Sequence, residues 1–249
     1  MATHWFEPLA DHVGAAYERY AFTRGTAQEA AFLVGTLALA PGSRVLDLGC
    51  ATGRHVRALA GHGLLPVGLD VSARFLEVAL AAAPDRAFVR GDARRLPLAD
   101  ASVDAALSLC QGGFGLTGGP AAAGLPAGVE PDLVVLEELA RVLRPAGRLA
   151  LTAFSAYFAV RDLGEGESFD APAGVLHEAT VVHDEAGRPA DQDLWTTCYT
   201  PRELRLLLGR AGFTVEHLWS VRPGRYAEDP ATIESPEFLV VARAPGESS

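Results

Sequence analysis

Short apolar runs and longer stretches of helical spacing follow one another along the chain, an order that predicts strands and helices in alternation. Val45, Leu46 and Leu48 form a short run apolar on both faces, as expected of a covered parallel strand. Gly49 and Gly53 punctuate a turn after it, helical spacing follows over about 53–62, and residues 67–70 form a second strand ending in Asp70. Upstream, Trp5, Leu9, Val13, Ala16, Tyr17 and Tyr20 recur at helical spacing over 4–20, and a second helix over about 27–39 runs into the stop signal Pro41-Gly42. The pattern changes after Phe154. Residues 177–183 and 194–199 predict two strands joined by the turn-rich link 184–189, with no helix expected between Phe154 and Thr200. Thr200, Pro201 and Glu203 then read as the N-cap, first-turn proline and capping-box acid of a helix ending near Ala211-Gly212. Strands over 213–221 and 238–242 close the chain. Their connection carries no helical pattern, and since a parallel crossover needs a helix, the last strand is expected to pair antiparallel.

The strand, glycine turn, helix and second strand make a nucleoside site. Glycines at 49 and 53 let the backbone approach a ligand and adopt positive φ. The helix that follows points free N–H groups at the same place. Asp70, about 20 residues on, can accept the hydroxyls of a ribose diol. Dinucleotides and S-adenosylmethionine both use this arrangement, and the glycine spacing separates them. A dinucleotide fingerprint needs Gly-x-Gly-x-x-Gly; counted from Gly49, this chain has Ala51 and Arg54 at the second and third positions.

Asp47-Leu48-Gly49-Cys50-Ala51-Thr52-Gly53 resembles the first motif of class I S-adenosylmethionine-dependent methyltransferases, Asp-x-Gly-x-Gly-x-Gly, with Ala51 in place of the middle glycine. Residues 68–72 are similar to the family's second motif, with Ser72 a helix N-cap. Residues 91–98 resemble the third, 102–109 the fourth strand, and 138–149 the helix, turn and fifth strand. Together they cover about 40–154. The resemblance implies an α/β fold, a doubly wound, mostly parallel seven-stranded sheet with an antiparallel last strand. It also implies a cofactor site of Asp47, Gly49, Cys50, Ala51 and Gly53, then Asp70 and Val71 at the ribose, and Asp92 and Ala93 at the adenine. Leu109, ending the fourth strand, joins the implied cofactor site, and Gln111 just after it occupies the position from which related enzymes touch cofactor or acceptor. The methyl group of Ala51 is expected to narrow the pocket beside the cofactor's amino acid part.

One domain is expected over 1–249: a helical cover at about 1–40, a cofactor-binding core at 41–154, a lid hairpin within 155–200, and a closing helix and strands at 201–244. From the cover, Tyr17, Tyr20 and Arg24 are candidates for contact with cofactor or substrate. A hairpin after the fifth strand stands over the edge where open α/β sheets bind ligands. His177 and His183 within it are candidate general bases for a hydroxyl or amine acceptor. His55 is expected to cap or pack near the cofactor.

Charge and composition narrow the partners. A net charge of −10 without an arginine cluster argues against nucleic acid. Residues 109–114 also lack the Asn/Asp-Pro-Pro-aromatic motif of enzymes that methylate nucleic acid amines. The acceptor is therefore expected to be a small molecule of unnamed identity. Hydrophobic residues make up 49% of the 249, enough for a full core, with no apolar run long enough to span a membrane. Cys50, Cys110 and Cys198 lack paired metal spacing, so no metal is expected and the thiols suggest a cytoplasmic location. A nicotinamide oxidoreductase and a non-catalytic S-adenosylmethionine-binding protein are the competing readings; the oligomeric state stays open.

Overall fold

The computed structural model describes residues 4–122 and 130–246. The chain enters through α1 (Phe6–Val13), two 3₁₀ segments (Gly14–Arg19 and Ala21–Thr23) and α2 (Thr26–Thr36). The stripe expected to be one helix over 4–20 breaks at Gly14, whose φ of 51° ends α1. The second helix stops short of residue 39, because Ala38 turns into the left-handed region at φ 50°.

The core then alternates strands and helices: β1 (Arg44–Leu48), α3 (Arg54–Gly61), β2 (Leu65–Asp70), α4 (Ala73–Ala82), β3 (Ala87–Arg90), β4 (Val103–Ser108), α5 (Pro131–Val142) and β5 (Leu143–Ser155). β1 lies between β2 and β4, parallel to both, with Val45, Leu46 and Leu48 almost wholly buried. This accounts for their unbroken apolar run. Ser72 caps α4 by accepting from the Phe75 N–H at 3.1 Å.

After β5 come α6 (Ala156–Arg161), β6 (Glu167–Asp170), β7 (Val175–His183), β8 (Pro189–Tyr199), α7 (Pro201–Arg210), β9 (Thr214–Arg222), β10 (Arg225–Pro230) and β11 (Glu237–Arg243). The main path of the sheet runs β10-β9-β11-β5-β4-β1-β2-β3. Seven of these strands form the doubly wound frame. β11 pairs antiparallel with both β5 and β9, and so seals the sheet as the missing crossover helix required. β10 is an addition to the expected plan: the Pro, Gly and acid-rich connection folds back on β9 as a hairpin. α6 and β6 were also unforeseen. α6 is a six-residue helix started by the Ser155 side chain, too short to show periodicity.

β7 and β8 make the expected hairpin, longer than its apolar positions suggested, and the end of β8 joins the end of β5 at Phe154↔Cys198. The capping box of α7 is formed, Thr200 accepting from the Glu203 N–H and Glu203 from the Thr200 N–H. Such a cap is worth about 1 kcal/mol. Leu9, Val13 and Ala16 of the N-terminal segment pack with Val182 of the hairpin. Helical cover and hairpin are therefore one roof.

Candidate functional site

A cavity of about 510 Å³ lies between this roof and the edge of the sheet where β1, β2, β3, β4 and β5 end. That volume is in the range of small-molecule sites. Its floor is built from the residues that follow the strands: Gly49 and Ala51 after β1, Asp70 closing β2, Asp92 after β3, Leu109 and Cys110 after β4, and Phe154 in β5. Trp5, Tyr17 and Tyr20 form the roof from one side, with Leu176, Thr196 and Val182 from the hairpin.

The glycine turn is held closed by its neighbours. A Cβ on Gly49 would stand 2.2 Å from the Gly112 backbone, and its φ of 69° is left-handed, so this position requires glycine. Ala51 also adopts a left-handed φ, 45°, and donates its N–H to Asp70 Oδ2 at 2.8 Å. The Ser72 N–H donates to Asp70 Oδ1 at 2.8 Å. Burial pushes the Asp70 carboxyl up to about 6 even though these amides favour its anion. A buried carboxylate oriented by backbone donors and facing a cavity is suited to receive ligand hydroxyls.

Beneath the turn, α2 supplies a charged hub that sequence reasoning missed. Glu29 Oε2 accepts from Arg54 Nη1 at 2.7 Å and contacts His55 Nε2 at 2.8 Å, while Glu29 Oε1 accepts from the Gly224 N–H at 2.7 Å. Burial works against ionisation of Glu29, but the hydrogen bonds and charges of His55 and Arg54 hold it down at about 2. Arg54 also donates to Cys110 Sγ at 3.1 Å. The third-glycine position of a dinucleotide loop is thus filled by a guanidinium that ties α3 to α2 and to the end of β4.

Of the thirteen positions expected at the cofactor, ten lie on the cavity wall: Gly49, Cys50, Ala51, Asp70, Val71, Asp92, Ala93, Leu109, Gln111 and Tyr20. Asp47, Gly53 and Arg24 do not. Asp47 is buried below the turn, where desolvation raises its carboxyl and Oδ2 meets no partner among the described residues. Gly53 turns the chain into α3 with φ 75°. Arg24 is exposed at the end of a 3₁₀ segment. Tyr17 lines the cavity and packs on Phe75 at 4.7 Å, and His55 lines it while bonded to Glu29. Asp92 is gripped by Arg94 through Nε at 3.0 Å and Nη2 at 2.7 Å. Burial opposes ionisation of Asp92, but these bonds hold its carboxyl below the usual range.

The two candidate bases are not on the wall. Strand alternation gives the reason: of the five β7 residues on the wall, Leu176, Glu178, Thr180 and Val182 share one parity and Val181 is the exception, so His177 and His183 fall on the opposite face. His177 stacks on Trp195 with ring centroids 5.1 Å apart and bonds Asp193 at 2.8 Å; His183 is exposed.

Two other polar groups do line the cavity. Gln111 has a left-handed φ of 57°, and its buried Nε2 has no partner among the described residues. Glu237, the first residue of β11, is 2% exposed; its Oε1 also lacks a partner there. Its only sequence signal is an acid directly before the buried run 238–242.

Comparison with known proteins places this geometry. Residues 46–111 match a family described as a methyltransferase domain. Demethylmenaquinone methyltransferase of Beutenbergia cavernae is 42% identical over 115 residues, 46% of this chain and 42% of that protein. Its counterpart in Renibacterium salmoninarum is 36% identical over 49% of this chain and 46% of that protein, so the chain spans less than half the length of these two relatives. An uncharacterized methyltransferase of Mycobacterium tuberculosis is 32% identical over 205 residues, 81% of this chain and 78% of that protein. Among solved structures, the CcbJ methyltransferase of Streptomyces caelestis matches with a TM-score of 0.77 at 19% identity, over 99% of this chain and 100% of that one. CalS10 of Micromonospora echinaspora, an amino pentose methyltransferase solved with S-adenosylmethionine bound, matches with a TM-score of 0.59 at 21% identity, over 92% and 94%. At these identities the two structures speak for the fold. The mycobacterial relative, matched over more than three quarters of both chains, speaks for descent, and this protein belongs to the class I S-adenosylmethionine-dependent methyltransferase family.

Proposed function

We propose that this protein transfers a methyl group from S-adenosylmethionine to a small-molecule acceptor by in-line displacement. The observation that carries the reading is Asp70: a buried carboxylate, oriented by the amides of Ala51 and Ser72, opening onto a cavity whose floor Gly49 keeps free of side chain. In this reading Asp70 accepts the ribose hydroxyls. Ala93 and Asp92 border the adenine, with Arg94 fixing the Asp92 carboxylate. Gly49, Ala51 and the unpartnered amide of Gln111 flank the amino acid part.

When bound, the cofactor supplies an electrophilic methyl on a sulfonium, so the chain's work is alignment and exclusion of water. Positioning of this kind accounts for up to roughly 7 to 11 kcal/mol of a barrier. The roof serves it: Trp5 packs edge-on against Trp195 with centroids 5.3 Å apart, closing cover and hairpin over the floor. The acceptor then sits beneath the hairpin, beside the ends of β4 and β5. The thiols of Cys50, Cys110 and Cys198 are all unpaired and fit a reducing cytoplasm.

Calorimetric titration with S-adenosylhomocysteine and, separately, with a nicotinamide dinucleotide tests the reading. Heat with the first and none with the second is expected; the reverse overturns it. Labelled methyl transfer into metabolite extracts then identifies the acceptor.

A further inference from the structure

Glu237 is a buried carboxyl on the cavity wall that neither the fold nor the cofactor reading employs. β11 runs antiparallel to β5, so its first residue stands beside the last turns of the parallel strands, in register with Phe154 of β5 and Val221 of β9. Along the sheet, β11 is four strands from β2, roughly 19 Å at the usual spacing. Asp70 and Glu237 therefore stand well apart on the wall of one cavity, with Asp92 beyond Asp70 and Glu237 on the side away from both.

We infer that Glu237 is the proton-accepting residue of the acceptor half of the site, and that the acceptor presents an amine N–H or a hydroxyl O–H to it. The inference rests on the methyltransferase reading. A carboxyl that is 2% exposed and has an oxygen without a partner among the described residues is costly to keep unless a ligand group completes it. Its surroundings suit a base. The groups acting on it and beside it are the Thr152 hydroxyl on β5, Arg54 on α3, Glu29 on α2, the Cys110 thiol after β4 and the Tyr226 phenol on β10. Arg54 is already paired with Glu29, and burial raises both Cys110 and Tyr226, leaving them protonated at neutral pH. Burial also pushes Glu237 up to about 7, against the Thr152 hydrogen bond, so it exchanges a proton near neutrality.

The step balances without a further reagent. The Glu237 carboxylate takes the proton from the acceptor nitrogen or oxygen, whose lone pair forms the bond to the methyl carbon. The carbon–sulfur bond breaks and its electron pair returns to sulfur, giving a neutral thioether. The proton then passes from Glu237 to water.

The test needs no knowledge of the acceptor. Sinefungin carries a primary ammonium where the cofactor carries its sulfonium methyl, while S-adenosylhomocysteine is neutral there. Affinities of both are measured from pH 6 to 8 for the wild-type protein and for Glu237→Gln, with proton release followed by calorimetry in buffers of different ionisation enthalpy. Expected is a sinefungin preference that grows about tenfold with pH in the wild type, with proton release near pH 7. Both are lost in the variant while its S-adenosylhomocysteine affinity is unchanged. An equal preference in both proteins overturns the inference. If Glu237→Gln does not fold, wild-type proton release near pH 7 that is larger on sinefungin than on S-adenosylhomocysteine, whose own release comes from Asp70, supports it, and equal release with both overturns it. Failure of the wild type to bind S-adenosylhomocysteine at all is a separate result, which overturns the cofactor reading and this inference with it.

Discussion

The backbone N–H of Ala51 donates to Asp70 Oδ2 at 2.8 Å, joining the turn after β1 to the end of β2. The residue that departs from the family's glycine pattern is thus also the one that holds the ribose-binding candidate in place. Its left-handed φ of 45° strains an alanine by roughly 1 to 2 kcal/mol, partly offset by the 0.5 to 1 kcal/mol that glycine loses in chain entropy. Ala51→Gly is therefore expected to raise stability by about 0.5 kcal/mol in urea unfolding, without weakening S-adenosylhomocysteine binding.

Asp70 and Glu237 give the unliganded protein an unusual pH dependence. Both carboxyls are raised in the folded state, to about 6 and about 7, so the native state holds more protons than the unfolded chain. Their contribution is fully present below the unfolded values, near pH 4, and is lost as pH rises through 6 and 7. Glu29, held at about 2, acts the other way and loses its contribution only below about pH 4. Stability is expected to fall between about pH 4.5 and 8 by about 3 kcal/mol for each raised group, an order-of-magnitude figure. Urea unfolding across that range checks it, and Asp70→Ala is expected to flatten the slope while lowering S-adenosylhomocysteine affinity at least tenfold.

Glu29 is the structural counterpart. Its side chain is fully buried and binds Arg54, His55 and the Gly224 N–H at once. Replacement by alanine strands a buried guanidinium and is expected to cost about 3 to 5 kcal/mol, as for other broken buried pairs. Added salt is expected to change that cost little, which unfolding at low and high ionic strength tests.

The turn itself tolerates no side chain at its first glycine. Gly49→Ala forces a Cβ to within 2.2 Å of the Gly112 backbone, so the turn after β4 must move. Expected is a loss of several kcal/mol together with loss of S-adenosylhomocysteine binding, both read by thermal shift with and without the ligand.

Glu185, at the tip of the hairpin, fastens the roof to the core. Its Oε1 accepts from Arg74 Nη2 at 2.8 Å and from the Ala15 N–H at 3.0 Å, and its carbonyl accepts from Arg19 Nη1 at 3.1 Å. The carboxylate is exposed, so Glu185→Ala is expected to leave the melting temperature almost unchanged. The roof opens more often in the variant, and stopped-flow release of S-adenosylhomocysteine is expected to be faster.

Much of the fold was legible because local patterns carried it. The apolar positions Val45, Leu46 and Leu48 read as a covered strand, Ser72 and Thr200 are caps with nearby partners, and the absence of a helix before 238 pointed to an antiparallel last strand. What escaped the sequence was short or non-periodic: α6 with six residues, β6 with four, and β10 in a segment rich in turn formers. His177 and His183 show the limit at the site. A strand's residues alternate between faces, and which parity faces inward depends on where the hairpin docks.

By itself the sequence determined the alternating α/β plan, the glycine turn, and the spacing that brings Asp70 to it, because each is a relationship among neighbours or along one continuous strand. Only the tertiary structure decided that Arg54 is neutralised by Glu29 from a helix 25 positions away. It also decided that the N-terminal cover and the hairpin form one roof, and that Glu237 lines the cavity. These depend on which strands lie side by side and on what burial does to charge, and no local pattern of residues encodes either.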